Sequence, residues 1–112
     1  MDYRKISDDY AVTGQIDATD IDAIKAAGYR SIICNRPDDE QPGQPSAAEI
    51  AAAAAAAEIV FRHVPVISGQ MTEADVMAMA AALDEIPGPV FAYCRSGARS
   101  TNIYQAAQQM KS

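Results

Sequence analysis

Seven consecutive residues, Cys94-Arg95-Ser96-Gly97-Ala98-Arg99-Ser100, have the types and spacing from which nucleophilic chemistry on a small anion can be built. A thiol opens the run, a glycine lets it turn, and two guanidiniums bracket it. With an apolar strand ending at residue 93 and a helix following, the backbone N–H groups of the turn converge on one point. The helix N-terminus adds unsatisfied donors and about half a positive charge. A tetrahedral oxyanion suits such a cradle, so Arg95, Ser96, Gly97, Ala98, Arg99 and Ser100 are its candidate anion-binding residues. Arg99 is the expected inward guanidinium, able to chelate two oxygens. The same field stabilises a thiolate, which makes Cys94 the expected nucleophile.

Fewer residues outside this run suggest chemistry. Asp38, in Asn35-Arg36-Pro37-Asp38, is the candidate for a catalytic or orienting carboxylate, against a plain turn-forming role. Cys34 ends a strand and reads as a core residue; its functional alternative is a resolving thiol for oxidised Cys94. His63 has no second histidine or clustered cysteine beside it, so neither a metal nor a cofactor is expected. Asp38, Asp39 and Glu40 together read as a solvated acidic loop that discourages large anionic substrates. Met71, Met77 and Met79 read as helix packing.

The elements that must position these residues follow from periodicity and punctuation. Arg4 to Ser7 and Tyr10 to Gln15, joined at Asp8-Asp9, predict an antiparallel hairpin. Asp17 to Asp20 offer caps for a helix with Ile21, Ile24 and Ala26-Ala27 inward and Gly28 at its end. Tyr29 to Cys34 is a buried strand, followed by a loop from Asn35 to Pro45 that three prolines keep out of any element. Ser46 with Glu49 opens a helix through the alanine run Ala51 to Ala57. Ile59 to Val66 is the next strand, then the loop Ile67 to Gln70. Thr72 caps a helix carrying Val76, Met79, Ala80 and Leu83, which ends at Pro87-Gly88-Pro89. Val90 to Tyr93 forms the last strand, and a helix from about Arg99 to Met110 closes the chain. Such alternation implies an α/β fold: a small three-layer sandwich, mainly parallel, with an N-terminal antiparallel hairpin.

Length and charge bound the rest. The 112 residues, 49% of them apolar, suit one domain over residues 1–112. A formal charge of −6 argues against nucleic acid or an anionic membrane as partner. No run approaches the ~18 to 20 apolar residues of a membrane span, and Met1 to Lys5 leads into polar sequence, so a soluble cytoplasmic chain is expected. Two cysteines are too few for a disulfide scaffold.

Several stretches together resemble a known family: Lys5-Ile6-Ser7, Ala26-Ala27-Gly28-Tyr29, Asn35-Arg36-Pro37-Asp38, Pro42-Gly43-Gln44-Pro45-Ser46 and Ala92-Tyr93-Cys94-Arg95-Ser96-Gly97. Over nearly the whole length the chain is similar to the phosphatase-like domain of beta-lactamase hydrolase-like proteins. The resemblance implies a dual-specificity-phosphatase-like fold. It also implies a candidate partner, since some bacteria fuse this domain to a metallo-β-lactamase-fold persulfide dioxygenase.

Two departures from the phosphatase pattern bear on activity. Cysteine phosphatases carry His-Cys, five residues and then Arg, whereas here Tyr93 precedes Cys94 and four residues separate Cys94 from Arg99. The shorter loop resembles that of rhodaneses, which hold a persulfide sulfur. The loop Val66 to Gln70, where phosphatases place their general acid, has no carboxylate, and Asp75 lies inside the next helix. General acid catalysis contributes ~10²- to 10⁴-fold. Sulfur transfer needs no such acid, so the favoured expectation is a sulfurtransferase that carries sulfane sulfur as a Cys94 persulfide to a thiol acceptor. Its rival is a phosphatase working through a phosphocysteine, with Asp38 or Asp39 as acid. A third reading is a non-catalytic anion-binding module that docks on the dioxygenase. The small anion would be thiosulfate, a persulfide or a phosphoester.

Overall fold

The structure is a computed structural model and describes residues 1–111. Five short strands form one sheet: β1 (Arg4–Ser7), β2 (Tyr10–Thr13), β3 (Ser31–Cys34), β4 (Val60–His63) and β5 (Val90–Tyr93), in the order β1-β2-β5-β3-β4. Only β1 and β2 pair antiparallel; β2 with β5, β5 with β3, and β3 with β4 are parallel. The predicted α/β class and opening hairpin are therefore both present.

Alternation along the central strands decides what each face buries. Tyr10, Val12, Ile33, Val90 and Ala92 point to one side, where α3 (Glu73–Glu85) and α4 (Ala98–Met110) cover them with Met79, Ala82, Ile103 and Ala107. Ala11, Ile32, Cys34, Phe91 and Tyr93 point to the other. There α1 (Ile21–Ala26) and α2 (Ala47–Ala56) supply Ile21, Ile24, Ile50 and Ala54. Two buried clusters on opposite faces of one sheet make the three layers.

Helix starts are set locally. Ser46 Oγ accepts from Glu49 N at 3.1 Å, and Thr72 forms a capping box with Asp75. The Asp17 side chain caps a single 3-10 turn, Ala18–Asp20, and α1 follows it. Several boundaries differ from the sequence reading. β2 stops at Thr13, because the chain bends at Gly14; β4 stops at His63, before Pro65; and α4 starts one residue early, at Ala98. Ala26 and Ala27 are exposed, not inward, since Ile21 and Ile24 alone face the sheet from α1. No described helix is long and apolar enough to cross a membrane.

Parallel strands bring their carboxyl ends to one edge, and everything with chemistry meets there. Gly14 follows β2, Asn35 and Arg36 follow β3, the 64–70 loop follows β4, and Cys94 follows β5.

Candidate active site

Cys94 leaves the central strand β5 fully buried, with its amide on Thr13 O at 3.4 Å. Gly97 then adopts φ +93°, a conformation that favours glycine, and serves as the N-cap of α4. That turn aims Gly97 N–H at Cys94 Sγ, at 3.0 Å. Burial alone pushes the Cys94 thiol up. Hydrogen bonding from Ser100, Ser96 and Gly97 outweighs it and holds the thiol below the ordinary value. Ser100 Oγ is buried and makes no hydrogen bond of ordinary geometry, so its share of this effect is that of a hydroxyl dipole close to the sulfur. Tyr10 OH donates to Ser100 O at 2.8 Å and stacks on Tyr104, which fixes the first turn of α4 against the sheet.

The two arginines of the run separate. Arg95, Ser96 and Ala98 are exposed, whereas Arg99 turns inward. Its Nη1 donates to Glu40 Oε2 at 2.7 Å and to Val66 O at 2.9 Å, and its Nη2 donates to Glu40 Oε1 at 2.8 Å. The hydrogen bonds and charge of Glu40 strengthen the hold of Arg99 on its proton, and Cys94 adds to the effect.

Glu40 overturns the reading of residues 38–40 as a solvated acidic face. The backbone there is exposed, but the Glu40 side chain is only 25% exposed and lies between two guanidiniums. Hydrogen bonds from Arg99, with Arg36 behind it, hold its carboxyl at about 2 despite partial burial. Arg36 Nε donates to Glu40 Oε1 at 2.9 Å, Nη1 to Gln15 Oε1 at 2.9 Å and Nη2 to Gln41 Oε1 at 3.0 Å. Sequence reasoning misses the roles of both Arg36 and Glu40. The signal that points to them is an Arg and a Glu four apart in a proline-rich loop that follows a parallel strand.

Asp38 anchors its loop rather than facing the sulfur. Its Oδ1 accepts from Ala47 N at 2.8 Å, tying the loop to the first turn of α2. Gln44 braces the same loop through Pro37 O and Glu40 N. Cys34 is buried beside Tyr93, its thiol donates to Arg36 O, and burial pushes it up. His63 is exposed, and its Nε2 donates to Arg36 O at 2.9 Å. Among the described residues, no three His, Cys, Asp or Glu side chains cluster as a metal site. A groove of about 400 Å³ opens beside Arg99, between the 66–71 loop and the start of α4. Its lining has no carboxylate, and Asp75 is occupied in the capping box with Thr72.

Comparison with known proteins gives the family and the fold. The Beta-lactamase hydrolase-like protein of Agrobacterium fabrum is 38% identical over 100 residues, covering 89% of this chain and 23% of its own length. The chain thus spans about a quarter of the curated relatives it matches. A "putative phosphatase" from Neisseria meningitidis has a solved structure that superposes with a TM-score of 0.83 at 31% identity, over 90% of this chain and 72% of that one. The core catalytic domain of a PP-IP phosphatase from S. cerevisiae, solved with citrate, shares the fold at a TM-score of 0.64 and 11% identity, over 85% of this chain and 56% of that one. The family model described as "Beta-lactamase hydrolase-like protein, phosphatase-like domain" matches residues 2–111, and the chain belongs to that family.

Proposed function

We propose that the chain is a cysteine-dependent phosphatase with Cys94 as nucleophile. The observation that carries this reading is the state of the thiol: buried at the end of a central strand, hydrogen-bonded by Gly97 N at 3.0 Å, and held below an ordinary thiol's value. Family membership and phosphatase neighbours support it over the sulfurtransferase favoured from sequence.

In this scheme the Cys94 thiolate attacks phosphorus, the S–P bond forms, and the ester oxygen leaves with the electron pair of the P–O bond. Water then attacks the phosphocysteine, releasing phosphate and the thiolate. Loop amides of residues 95–100 and Arg99 stabilise the added charge on the phosphoryl oxygens. Asp38 acts as an orienting residue that anchors the 35–45 loop to α2. With no carboxylate in the Val66–Gln70 loop, substrates whose leaving group departs as a stable anion, such as aryl esters, are favoured.

The same missing acid favours a second reading, sulfur transfer. There Cys94 attacks the sulfane sulfur of thiosulfate, sulfite leaves with the S–S electron pair, and a thiolate acceptor removes the sulfur from the persulfide. A metallo-β-lactamase-fold persulfide dioxygenase would be the natural partner for that activity.

Two probes separate the readings. The phosphatase reading expects turnover of p-nitrophenyl phosphate that Cys94→Ser abolishes and Arg99→Lys lowers by about 100-fold or more. Sulfur transfer expects thiosulfate to leave one sulfur atom on Cys94 by intact mass, removed by added thiol. Turnover that survives Cys94→Ser refutes both. A wild type inert to both probes leaves the non-catalytic anion-binding module.

A further inference from the structure

We infer that Glu40 and Arg36 are positioning residues for this site: a buried arginine fixes a glutamate, and the glutamate fixes the arginine that meets the anion. The inference rests on the reading above that an oxyanion is handled at Cys94.

A guanidinium has five N–H donors in one rigid plane. Arg99 places three of them on protein acceptors, two through Nη1 on Glu40 Oε2 and Val66 O, and one through Nη2 on Glu40 Oε1. Both bonds to Glu40 use the end of the guanidinium. The donors that remain are Nε–H and the second Nη2–H, which lie along one side edge and form a parallel fork suited to two oxygens of a tetrahedral anion. Glu40 therefore occupies the end of Arg99 and leaves its side for substrate.

Glu40 is itself held. Its Oε1 also accepts from Arg36 Nε, and Arg36 is 2% exposed, with its remaining nitrogens on Gln15 and Gln41. Removing a charged group from water is costly unless its donors are matched. Here each nitrogen of Arg36 has a carboxylate or amide oxygen within 3.0 Å. The chain of contacts runs from Gln15, two residues beyond β2, through the loop after β3, to α4. It ties three separate segments to the orientation of one side chain.

The competing account makes Glu40 a plug, a carboxylate that mimics the substrate and blocks the site through charge. The two accounts differ in sign. Glu40→Gln makes the site one charge more positive, and Arg36→Met makes it one charge more negative. If charge governed anion handling, these variants would shift KM in opposite directions. Positioning requires both to lower kcat.

The experiment measures kcat and KM, with p-nitrophenyl phosphate or thiosulfate as probe, for the wild type, Glu40→Gln, Glu40→Asp, Arg36→Met and the Arg36→Met/Glu40→Gln double variant. Thermal unfolding and the ¹H–¹⁵N signal of Arg99 Nε–H are recorded on each. Expected is a loss in kcat of about 10- to 100-fold in both single variants, the scale of a displaced positioning group, with KM moving far less. The double variant should be no worse than the poorer single one, because the residues act as a unit. Glu40→Asp should recover part of the loss. The Arg99 Nε–H signal should be sharp in the wild type and averaged in both single variants. Glu40 sits on an exposed loop, so its variants decide the matter should Arg36→Met fail to fold. Unchanged or raised kcat in Glu40→Gln, or opposite KM shifts at constant kcat, overturns the inference. A wild type with neither activity sinks the catalytic reading alone. The spectrum then judges this inference, and an Arg99 signal already averaged in the wild type, or unchanged in the variants, overturns it.

Discussion

Gly14→Ala tests whether the loop around Cys94 is held in place by the chain that faces it. A Cβ built on Gly14 falls 2.9 Å from Arg95 O, and 3.7 Å from Arg95 C and Ser96 Cα. Ordinary contact begins at 3.4 Å, so the Arg95 carbonyl must retreat by 0.5 Å. It cannot do so by a rigid shift of the loop. Beyond it, Gly97 O accepts from Thr101 N, Ser100 O accepts from Tyr10 OH, and Cys94 N is bonded to Thr13 O. The Arg95 peptide must therefore tilt, and the amides of Ser96 and Gly97 tilt with it. Overpacking of this kind costs about 1–3 kcal/mol. For a domain of this size that is a fall in Tm of roughly 4 °C or more per kcal/mol. The functional readout is the rate of Cys94 alkylation by iodoacetamide as a function of pH. With its amide donors misplaced, the thiol should titrate higher in Gly14→Ala than in the wild type, since burial then acts with less opposition. An unchanged Tm together with an unchanged thiol profile would refute the reasoning, because the loop would then be free to yield without consequence.

Two further outcomes follow from the charges at the site. In the wild type, Cys94 should alkylate at a pH below that of an ordinary thiol while Cys34, pushed up by burial, stays unreactive; Ser100→Ala, which keeps the backbone amide, should move the Cys94 profile upward, and a profile that does not move removes the Ser100 hydroxyl, though not its amide, from the cradle. Glu40 is depressed to about 2 in the folded chain from a reference of 4.5, so its contribution to stability is complete above 4.5 and is lost as pH falls toward 2. The Tm difference between wild type and Glu40→Gln should therefore shrink over that window, and should also shrink with added salt because the carboxylate is partly exposed. A difference that stays constant across it would show that the ion pairs with Arg36 and Arg99 do not stabilise the fold.

Much of this molecule could be read along the chain because the relevant interactions are short in sequence. Ser46 and Thr72 bond to amides three residues away, so their caps are visible in a few letters. The alternation of Ile32 and Ile33, or of Phe91 and Ala92, assigns each side chain to a face without knowledge of its neighbours. Cys94, Gly97 and Arg99 lie within one turn of the chain, and a strand before them with a helix after them is enough to aim backbone donors at the sulfur. What lay beyond sequence was the choice of partner across long separations. Arg99 meets Glu40 from 59 residues away, and it could as well have met Asp38 or Asp39 by charge alone. Asp38 instead faces α2, because the loop turns at Asp39, where φ is +64°, and sends the next carboxylate back toward the sheet edge. Gly14 looked like the continuation of a strand; its lack of a side chain matters only because the Arg95 carbonyl arrives beside it. Hydrogen-bond geometry within a turn is fixed by covalent connection, so sequence determines it. Which charge fills which guanidinium depends on how separate loops pack at the end of a sheet, and only the tertiary structure decides that.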